Sequence, residues 1–354
     1  RSRLPRRCTR PASKFGDKGV ILGIKLLCSE QSASVAYGWA EANLFRYEGC
    51  EPMKSEAVRV CFSLDSGYLH TTRVAIYSLI ESSQSNLEIN IIGVDLKEDE
   101  WVAMEEIRHI RSDIVIDFVR HDLSRLDYQD KVSKSLPMLS VLLLPKLVTG
   151  RILYLDGDIL VVSDLAELFF RDMQGMPISA CKASKNLVFV DLAANSSNCL
   201  FCLMRRSSQK RLEALASILG ERNPEDYINS GVVLFDLDLI SSDINLVEKM
   251  TDMDSAAGHR WPDQTWLFKV FNGKIDFLEL KWNTYRGNEF FTRLFFSQSF
   301  RNSIDASARD AAIVHFVGPK KPWNQKRRFL TMGSRWFRLW RRKNSELSTR
   351  LAST

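Results

Sequence analysis

The chain has 354 residues, of which 45% are hydrophobic and 26% are charged, and its formal net charge is +6. This composition is typical of a globular protein, and no run of apolar residues reaches the roughly 18 that a membrane-spanning helix needs. The basic excess suits an acidic partner, whether a phosphorylated substrate, a nucleic acid or an anionic membrane, and does not choose among them. The seven cysteines are irregularly spaced and odd in number, which indicates a reducing compartment rather than a disulfide framework.

The chain begins with a segment that shows no sustained hydrophobic period. We therefore expect residues 1–52 to form a poorly ordered extension. After it, short apolar and β-branched runs predict strands at 58–64, 88–94, 113–119 and 151–156. Apolar residues at helical spacing predict helices at 69–83, 96–110 and 135–148.

Strands that alternate with helices predict an α/β fold, in which helices flank both faces of a mainly parallel sheet. Ligands of such sheets bind beyond the carboxyl ends of the strands. Asp65 and Asp156 follow predicted strands directly, so we expect them in a binding site. Further along, the pattern predicts strands at 231–237 and 311–317 and helices at 245–254 and 263–271. Neither a G-x-G-x-x-G sequence nor a Walker A sequence is present, so a dinucleotide or P-loop site has no support.

Two aspartates interrupt the apolar stretch RILYLDGDILVV, residues 151–162. Because side chains at i and i+2 of an extended chain point the same way, Asp156 and Asp158 are expected to face one point. Gly157, which has no side chain, would leave room for a ligand there. Converging carboxylate oxygens suit a hard divalent cation. The alternative is a plain Asp-Gly turn, but the apolar flanks on both sides favour a site.

Two chemistries use such a pair. In a phosphatase of the haloacid-dehalogenase type, one aspartate is the nucleophile and the other the acid. That pattern requires Thr or Val where this chain has Leu160, and no downstream acidic metal pair is evident. In sugar transfer from a nucleotide sugar, the pair holds a cation that neutralises the diphosphate leaving group. A third reading is a nucleotide-sugar binding protein without catalytic activity.

Four separated segments carry a more specific pattern. They are VRVCFSLDSGYLHTTRVAIYSLI (58–80), LLLPKLVTGRILYLDGDILVVSDLAELF (142–169), YINSGVVLFDLDLI with WPDQTWLF (227–240 and 261–268), and VHFVGPKKPWN (314–324). In order and spacing, across about 270 residues, the chain resembles the retaining glycosyltransferases of family 8. That family includes bacterial lipopolysaccharide galactosyl- and glucosyltransferases and glycogenin.

The resemblance implies a glycosyltransferase domain at 53–324 with a Rossmann-like fold of the GT-A type. It also implies a UDP-sugar donor, Mn²⁺ as the cofactor with Mg²⁺ as the alternative, and retention of configuration at the anomeric carbon. Asp156, Asp158 and His315 match the metal ligands of the family, and an imidazole ligand favours Mn²⁺ over Mg²⁺. The plain alternative for His315 is a hydrogen-bonded histidine at the end of a strand.

The same resemblance implies the residues that bind the donor. Those for the uridine, the diphosphate and the sugar are Ser63, Asp65, Tyr68, Asp156, Asn229, Ser230, Gly318 and Lys321. Asp263 and Gln264 match the catalytic pair beside the sugar hydroxyls and the anomeric carbon. Since an amide such as Gln264 is a poor nucleophile, front-face attack by the acceptor, assisted by a UDP oxygen, is the favoured retaining route.

Two positions depart from the family pattern. An arginine that contacts the donor in the family is replaced here by Val141. An aspartate near the sugar is replaced by Lys182 and Ala183. Both losses leave the identity of the sugar open, and Lys146 or Lys182 is a candidate to compensate.

The segment 325–354 forms a basic, amphipathic C-terminal tail. Its residues 325–343 include eight basic and no acidic side chains. An apolar stripe (Phe329, Met332, Trp336 and Trp340) and a basic stripe (Arg335, Arg338 and Arg342) predict a helix on an anionic bilayer. The alternative is packing on the body of the protein; a nucleic-acid arm would not explain the apolar stripe. The resemblance to family 8 implies UDP-galactose or UDP-glucose as donor and a lipopolysaccharide or lipooligosaccharide glycan as acceptor. Together with the basic tail, it leads us to expect a protein at the cytoplasmic face of the inner membrane.

Overall fold

Two β-sheets organise the part of the chain that the structure, a computed structural model, describes: residues 57–121, 136–195, 202–220, 222–285, 295–319, 321–324 and 334–353. The extension expected at 1–52 lies outside these residues. The strands are β1 (Val58–Leu64), β2 (Leu87–Val94), β3 (Ile114–His121), β4 (Arg151–Leu155), β5 (Ile159–Val161), β6 (Ile178–Lys182), β7 (Ile228–Asp236), β8 (Ile275–Leu278), β9 (Thr284–Tyr285) and β10 (Ile313–His315).

Helices connect most of these strands. The α-helices are α1 (Leu69–Ser82), α2 (Glu98–Glu105), α3 (Leu136–Leu139), α4 (Leu144–Leu147), α5 (Ala166–Phe169), α6 (Ser184–Asn195), α7 (Cys202–Leu219), α8 (Leu237–Ser241), α9 (Ile244–Met250), α10 (Met253–Ala257), α11 (Pro262–Phe271), α12 (Gln298–Arg309) and α13 (Arg335–Ala352). Short 3₁₀ helices lie at Glu106–Ile110, Ser140–Leu143, Pro224–Asp226 and Leu280–Asn283. No helix within the described ranges is both long enough and apolar enough to cross a bilayer.

The larger sheet has seven strands in the order β3-β2-β1-β4-β7-β6-β8. Every pairing in it is parallel except those of β7, which runs antiparallel to β4 and β6. The prediction of a mainly parallel α/β sheet flanked by helices is therefore confirmed. The smaller sheet has the order β5-β10-β9, with β5 antiparallel and β9 parallel to β10.

Strand β1 has apolar residues at consecutive positions and does not alternate regularly between apolar and polar residues. Val60 and Phe62 pack into one core cluster together with α1, whereas Cys61 between them packs into the cluster on the opposite face. A strand that is covered on both faces needs apolar residues at consecutive positions. The alternating pattern of a half-exposed strand is accordingly absent here.

The stretch RILYLDGDILVV is not one strand but two. Strand β4 belongs to the larger sheet and β5 to the smaller one, and the chain turns at Gly157 and Asp158 between them. The two aspartates therefore lie where the chain leaves one sheet for the other.

Helix α13 packs on the body of the protein. Trp336, Phe337 and Trp340 are buried in the same core cluster as α1. The Trp340 ring lies 6.1 Å from His70 and 5.3 Å from Trp323, measured between ring centroids. Trp336 and Trp340, two members of the predicted apolar stripe, are therefore covered by the protein, which is the alternative of packing on its body. The other two members, Phe329 and Met332, lie outside the described residues.

Candidate metal and donor site

Asp156, Asp158 and His315 come together at the junction of the two sheets. Asp156 follows β4, Asp158 precedes β5, and His315 is the last residue of β10. Because β10 pairs with β5 so that His315 lies opposite Ile159, the imidazole is brought beside the aspartates. One ligand atom from each of the three side chains lies within 4.8 Å of the other two. The predicted convergence is therefore present.

Short contacts hold this cluster. His315 Nε2 lies 3.0 Å from Asp158 Oδ1 and 3.5 Å from Asp156 Oδ2. The Lys321 ammonium donates to Asp158 Oδ2 and, over 2.5 Å, to the carbonyl of Phe316. Asp158 and His315 are almost fully buried, whereas 32% of the Asp156 side chain is exposed. The Asp156 carboxylate is thus the member of the cluster most open to a ligand.

The pKa values of Asp156 and Asp158 are shifted in opposite directions because the two carboxylates have different partners. Burial raises the pKa of Asp156 to about 7, against the opposing pull of His315. Burial would also raise the pKa of Asp158, but His315 and Lys321 outweigh it and hold that pKa well below its ordinary value. Burial alone would lower the pKa of His315, and the adjacent Asp158 carboxylate raises it instead.

Two glycines allow the close packing of the site. A Cβ atom on Gly231 would overlap His315 Cε1 and lie 2.5 Å from Asp156 Oδ2. A Cβ atom on Gly157 would collide with the Thr72 hydroxyl of helix α1. Gly157 is therefore needed for the approach of α1, a reason in addition to the room for a ligand that the sequence predicted.

A chain of hydrogen bonds between side-chain amides connects His315 to Gln264. Its Nδ1 lies 3.0 Å from Asn283 Oδ1, and Asn283 Nδ2 donates to Asn229 Oδ1 over 2.7 Å. Asn229 Nδ2 in turn donates to Gln264 Oε1 over 2.9 Å. Two of the predicted site residues, Asn229 and Gln264, are thereby linked to the histidine.

The other residues predicted beside the sugar lie next to this chain of hydrogen bonds. The Ser230 hydroxyl hydrogen-bonds the buried Asp263 carboxylate, whose pKa is raised by burial and lowered in part by that bond. Strand β7 and the first turn of α11 therefore face each other through two adjacent hydrogen-bonded pairs. These are Asn229 with Gln264 and Ser230 with Asp263.

The residues predicted to bind uridine are placed unequally. Tyr68 is 42% exposed, and its pKa is raised to about 12 by partial burial and by the negative charges of Asp158, Asp156 and Asp65. Asp65 Oδ1 accepts from the Tyr68 backbone N–H over 3.0 Å. The Ser63 hydroxyl is buried and bonds Ser140 and the carbonyl of Pro137, so only Asp65 and Tyr68 are accessible.

The loop after β10 carries the predicted diphosphate residues. Gly318 has a φ of +89°, a conformation that favours glycine, and, apart from its chain neighbours, no atom of the described residues lies within 4 Å of the position of a Cβ there. Lys321 follows three residues later and reaches back to Asp158. The loop therefore places a cation against the acid pair, while the neighbouring Lys320 lies outside the described residues.

The side chains at the two departures from the family pattern are buried or engaged within the protein. Val141 is fully buried, and Ala183 is 8% exposed. Lys182 donates to Asp226 over 2.6 Å, and its ammonium lies 4.7 Å from the centroid of the Phe277 ring. Lys182 is thus engaged elsewhere.

Sequence reasoning missed two residues that hold the site. Tyr154 hydrogen-bonds Asp156. It lies two positions before Asp156 on the same strand face, so the spacing alone could have revealed it. Asn283 lies 32 residues before His315 in the sequence, and no local pattern around it indicates its contact with that histidine.

The cluster has the donor chemistry of a divalent-cation site. Two carboxylates and one imidazole form a set that suits Mn²⁺ and related ions. The Nδ1 atom of His315 is engaged by Asn283, so Nε2 is the nitrogen that faces the carboxylates. The residues present therefore fit a bound cation.

Comparison with known proteins gives a consistent result. The sequence model described as "Glycosyl transferase family 8" matches residues 59–327. The chain is 25% identical over 280 residues to a lipopolysaccharide 1,2-glucosyltransferase of Escherichia coli (strain K12), and the match covers 77% of this chain and 74% of that protein.

Solved structures share the fold. The apo structure of the WbbM bifunctional glycosyltransferase matches with a TM-score of 0.62 at 18% identity, over 83% of this chain and 53% of that one, so this chain spans about half its length. The galactosyltransferase LgtC, solved with donor and acceptor sugar analogues, matches with a TM-score of 0.56 at 18% identity, over 84% of this chain and 96% of that one.

Proposed function

Because this chain belongs to glycosyl transferase family 8 and is a glycosyltransferase, we propose that it is a retaining, metal-dependent hexosyltransferase that moves galactose or glucose from a UDP-sugar to a glycan acceptor. The observation that carries this proposal is the convergence of Asp156, Asp158 and His315 at the junction of the two sheets. The three side chains would hold the cation, for which we favour Mn²⁺ over Mg²⁺. When bound, the cation supplies positive charge that stabilises the diphosphate leaving group.

The other residues of the site divide the remaining tasks. Asp65 and Tyr68 are the accessible groups beside β1 and would bind the uridine. The Gly318 backbone N–H and the Lys321 ammonium would stabilise the negative charge on the diphosphate as it leaves. The Lys321 ammonium already bonds a carboxylate, which shows that it reaches the acid pair.

The sugar would lie against β7 and the first turn of α11. Asp263, positioned by Ser230, would accept hydrogen bonds from the sugar hydroxyls. Gln264, positioned by Asn229, would place its amide dipole at the anomeric carbon. Since an amide is a poor nucleophile, the acceptor hydroxyl would attack from the face of the leaving group and pass its proton to a UDP oxygen.

We propose a lipopolysaccharide or lipooligosaccharide as the acceptor, because the Escherichia coli relative is named for transfer to a lipopolysaccharide. The protein would act at the cytoplasmic face of the inner membrane. Contact with anionic lipid would come from the exposed Arg335, Arg338 and Arg342, which line a surface cavity of about 340 Å³ together with Trp336 and Leu339.

One assay tests this function against the alternatives. The protein is incubated with UDP-galactose or UDP-glucose, with and without Mn²⁺, and the release of UDP is measured beside an Asp158→Asn variant. We expect UDP release that needs Mn²⁺ and is lost in the variant. Release of phosphate from simple esters would instead support the phosphatase, and donor binding without turnover would support a binding protein.

A further inference from the structure

The hydrogen-bond direction along the amides next to His315 is fixed by one backbone group. The N–H of Gly231 can only donate, and it donates to the side chain of Asn229 over 3.3 Å. The atom of Asn229 at that position is therefore its carbonyl oxygen. Asn283 approaches the same oxygen at 2.7 Å and must present its NH₂ group there.

This direction continues to the imidazole. With its NH₂ group turned to Asn229, Asn283 presents its carbonyl oxygen to His315 Nδ1 at 3.0 Å. An amide oxygen only accepts, so Nδ1 must carry the proton. In neutral His315 the lone pair is then on Nε2, the nitrogen that lies 3.0 Å from Asp158 and 3.5 Å from Asp156.

We propose that Asn283 is a positioning residue that, anchored through Asn229 to the Gly231 N–H, holds His315 in the Nδ1–H tautomer and keeps Nε2 available to the divalent cation. Without Asn283 the tautomer would reverse. The carboxylates of Asp158 and Asp156 would remain beside Nε2, and because both only accept, they would draw the proton to Nε2 and close that ligand position. The inference rests on the metal site of the proposed function.

The same anchor sets the position of Gln264. With its oxygen committed to Gly231 and Asn283, Asn229 has only its NH₂ group left, and this group donates to Gln264 Oε1 over 2.9 Å. The Gln264 side chain also bonds the Tyr227 hydroxyl. Asn229 thus couples the orientation of the metal-binding imidazole to that of the amide proposed at the anomeric carbon.

Two substitutions at Asn283 separate its hydrogen bond to His315 from its hydrogen bond to Asn229. Asn283→Leu keeps the branching at Cγ, although leucine is larger, and removes both hydrogen bonds. Asn283→Asp keeps an acceptor for His315 Nδ1 but cannot donate to Asn229. Asn245→Leu, at an exposed asparagine of α9, is the matched control. All proteins are full-length and are checked for folding by circular dichroism.

Two readouts are used. Mn²⁺ affinity is measured by titration calorimetry, and the ¹⁵N chemical shifts of the imidazole are measured in the metal-free protein at a pH that keeps His315 neutral. We expect an Nδ1–H ring in the parent protein and in Asn283→Asp, and an Nε2–H ring in Asn283→Leu. Mn²⁺ binding should weaken about 10- to 100-fold in Asn283→Leu, the usual cost of losing such a partner, and stay within about threefold of the parent in the other two variants.

The outcomes distinguish this inference from the proposed function. An Nε2–H ring in the parent protein would overturn the role of Asn283, as would a folded Asn283→Leu variant with unchanged shifts and unchanged affinity. A parent protein that shows the Nδ1–H ring but binds no Mn²⁺ would overturn the metal site and leave the positioning by Asn283 supported. If Asn283→Leu fails to fold, the shifts of the parent and of Asn283→Asp decide the question.

Discussion

Gly231 lies so close to the site that a single methyl group should disable it. In a Gly231→Ala variant, the new Cβ would overlap His315 Cε1 and lie 2.5 Å from Asp156 Oδ2 and 2.9 Å from His315 Nδ1. Ordinary heavy-atom contacts are about 3.5 Å, so the carboxylate must retreat by about 1 Å. Overpacking of this kind costs about 1–3 kcal/mol of folding free energy. Displacement of reacting groups by about 1 Å costs on the order of 100-fold in rate.

The variant is assayed by urea unfolding, by calorimetric titration with Mn²⁺ and by UDP release. Gly258→Ala is the matched control, because Gly258 has a φ of −67° and the nearest atom to its Cβ position is Ser255 O at 3.5 Å. We expect the control to unfold at the parental urea concentration or slightly above it, with unchanged Mn²⁺ affinity. Parental affinity and parental activity in Gly231→Ala would refute the reasoning, since the two ligands would then not be constrained by this glycine.

Three further predictions follow from burial and charge. Trp340→Ala should lower the free energy of unfolding by about 3–5 kcal/mol, because the ring is 2% exposed, whereas Trp261→Ala, at an indole that is 44% exposed, should have little effect; equal urea midpoints would contradict this. Thr72→Val should raise the free energy of unfolding by about 1 kcal/mol, since the Thr72 hydroxyl is buried and has no hydrogen-bond partner among the described residues; a lower urea midpoint would count against it. Mn²⁺ affinity should fall as the pH is lowered from about 8 to about 6, because the pKa values of Asp156 and His315 are both raised in the folded protein and their protons compete with the ion. Calorimetry across this range measures the effect, and a constant affinity would show that neither group binds the ion.

Much of the fold follows from local patterns. Helix α1, strand β2 and helix α11 lie within one or two residues of their predicted limits, because each is a long periodic or continuously apolar run. The helix predicted at 135–148 is instead split into α3, a 3₁₀ turn and α4, with Pro145 in the first turn of α4. Proline lacks the N–H that a continuous helix would need at that position.

The sequence of the apolar run 151–162 does not indicate that it forms two strands in two different sheets. A change of sheet leaves no mark in hydrophobicity when both strands are buried, as β4 and β5 are. The antiparallel direction of β7 is likewise set by tertiary pairing and not by its own residues.

The site was predictable where its residues stand in recognisable segments. Asp156, Asp158 and His315 do, and the structure brings them together. The tautomer of His315 depends on Asn283 and on a backbone N–H of β7, which are distant in sequence from it and from each other. Periodicity reports on faces of helices and strands, so it carries no information on such contacts. The burial of Trp336 and Trp340 was not predictable for a related reason: an amphipathic helix has the same sequence whether a bilayer or a protein core covers its apolar face.

The proposed ligands belong to both sheets, since Asp156 directly follows β4 of the larger sheet, whereas Asp158 precedes β5 and His315 ends β10 of the smaller one. An ion bound there would act as a crosslink. A local opening that separates the small sheet from the large one would require the ion to dissociate first. Saturating the site with the ion should therefore slow amide hydrogen exchange in β5 and β10 by the factor 1 + [ion]/Kd. The amide exchange rates of the six residues in β5 and β10 would then measure how much of the metal site is occupied, without any sugar being transferred.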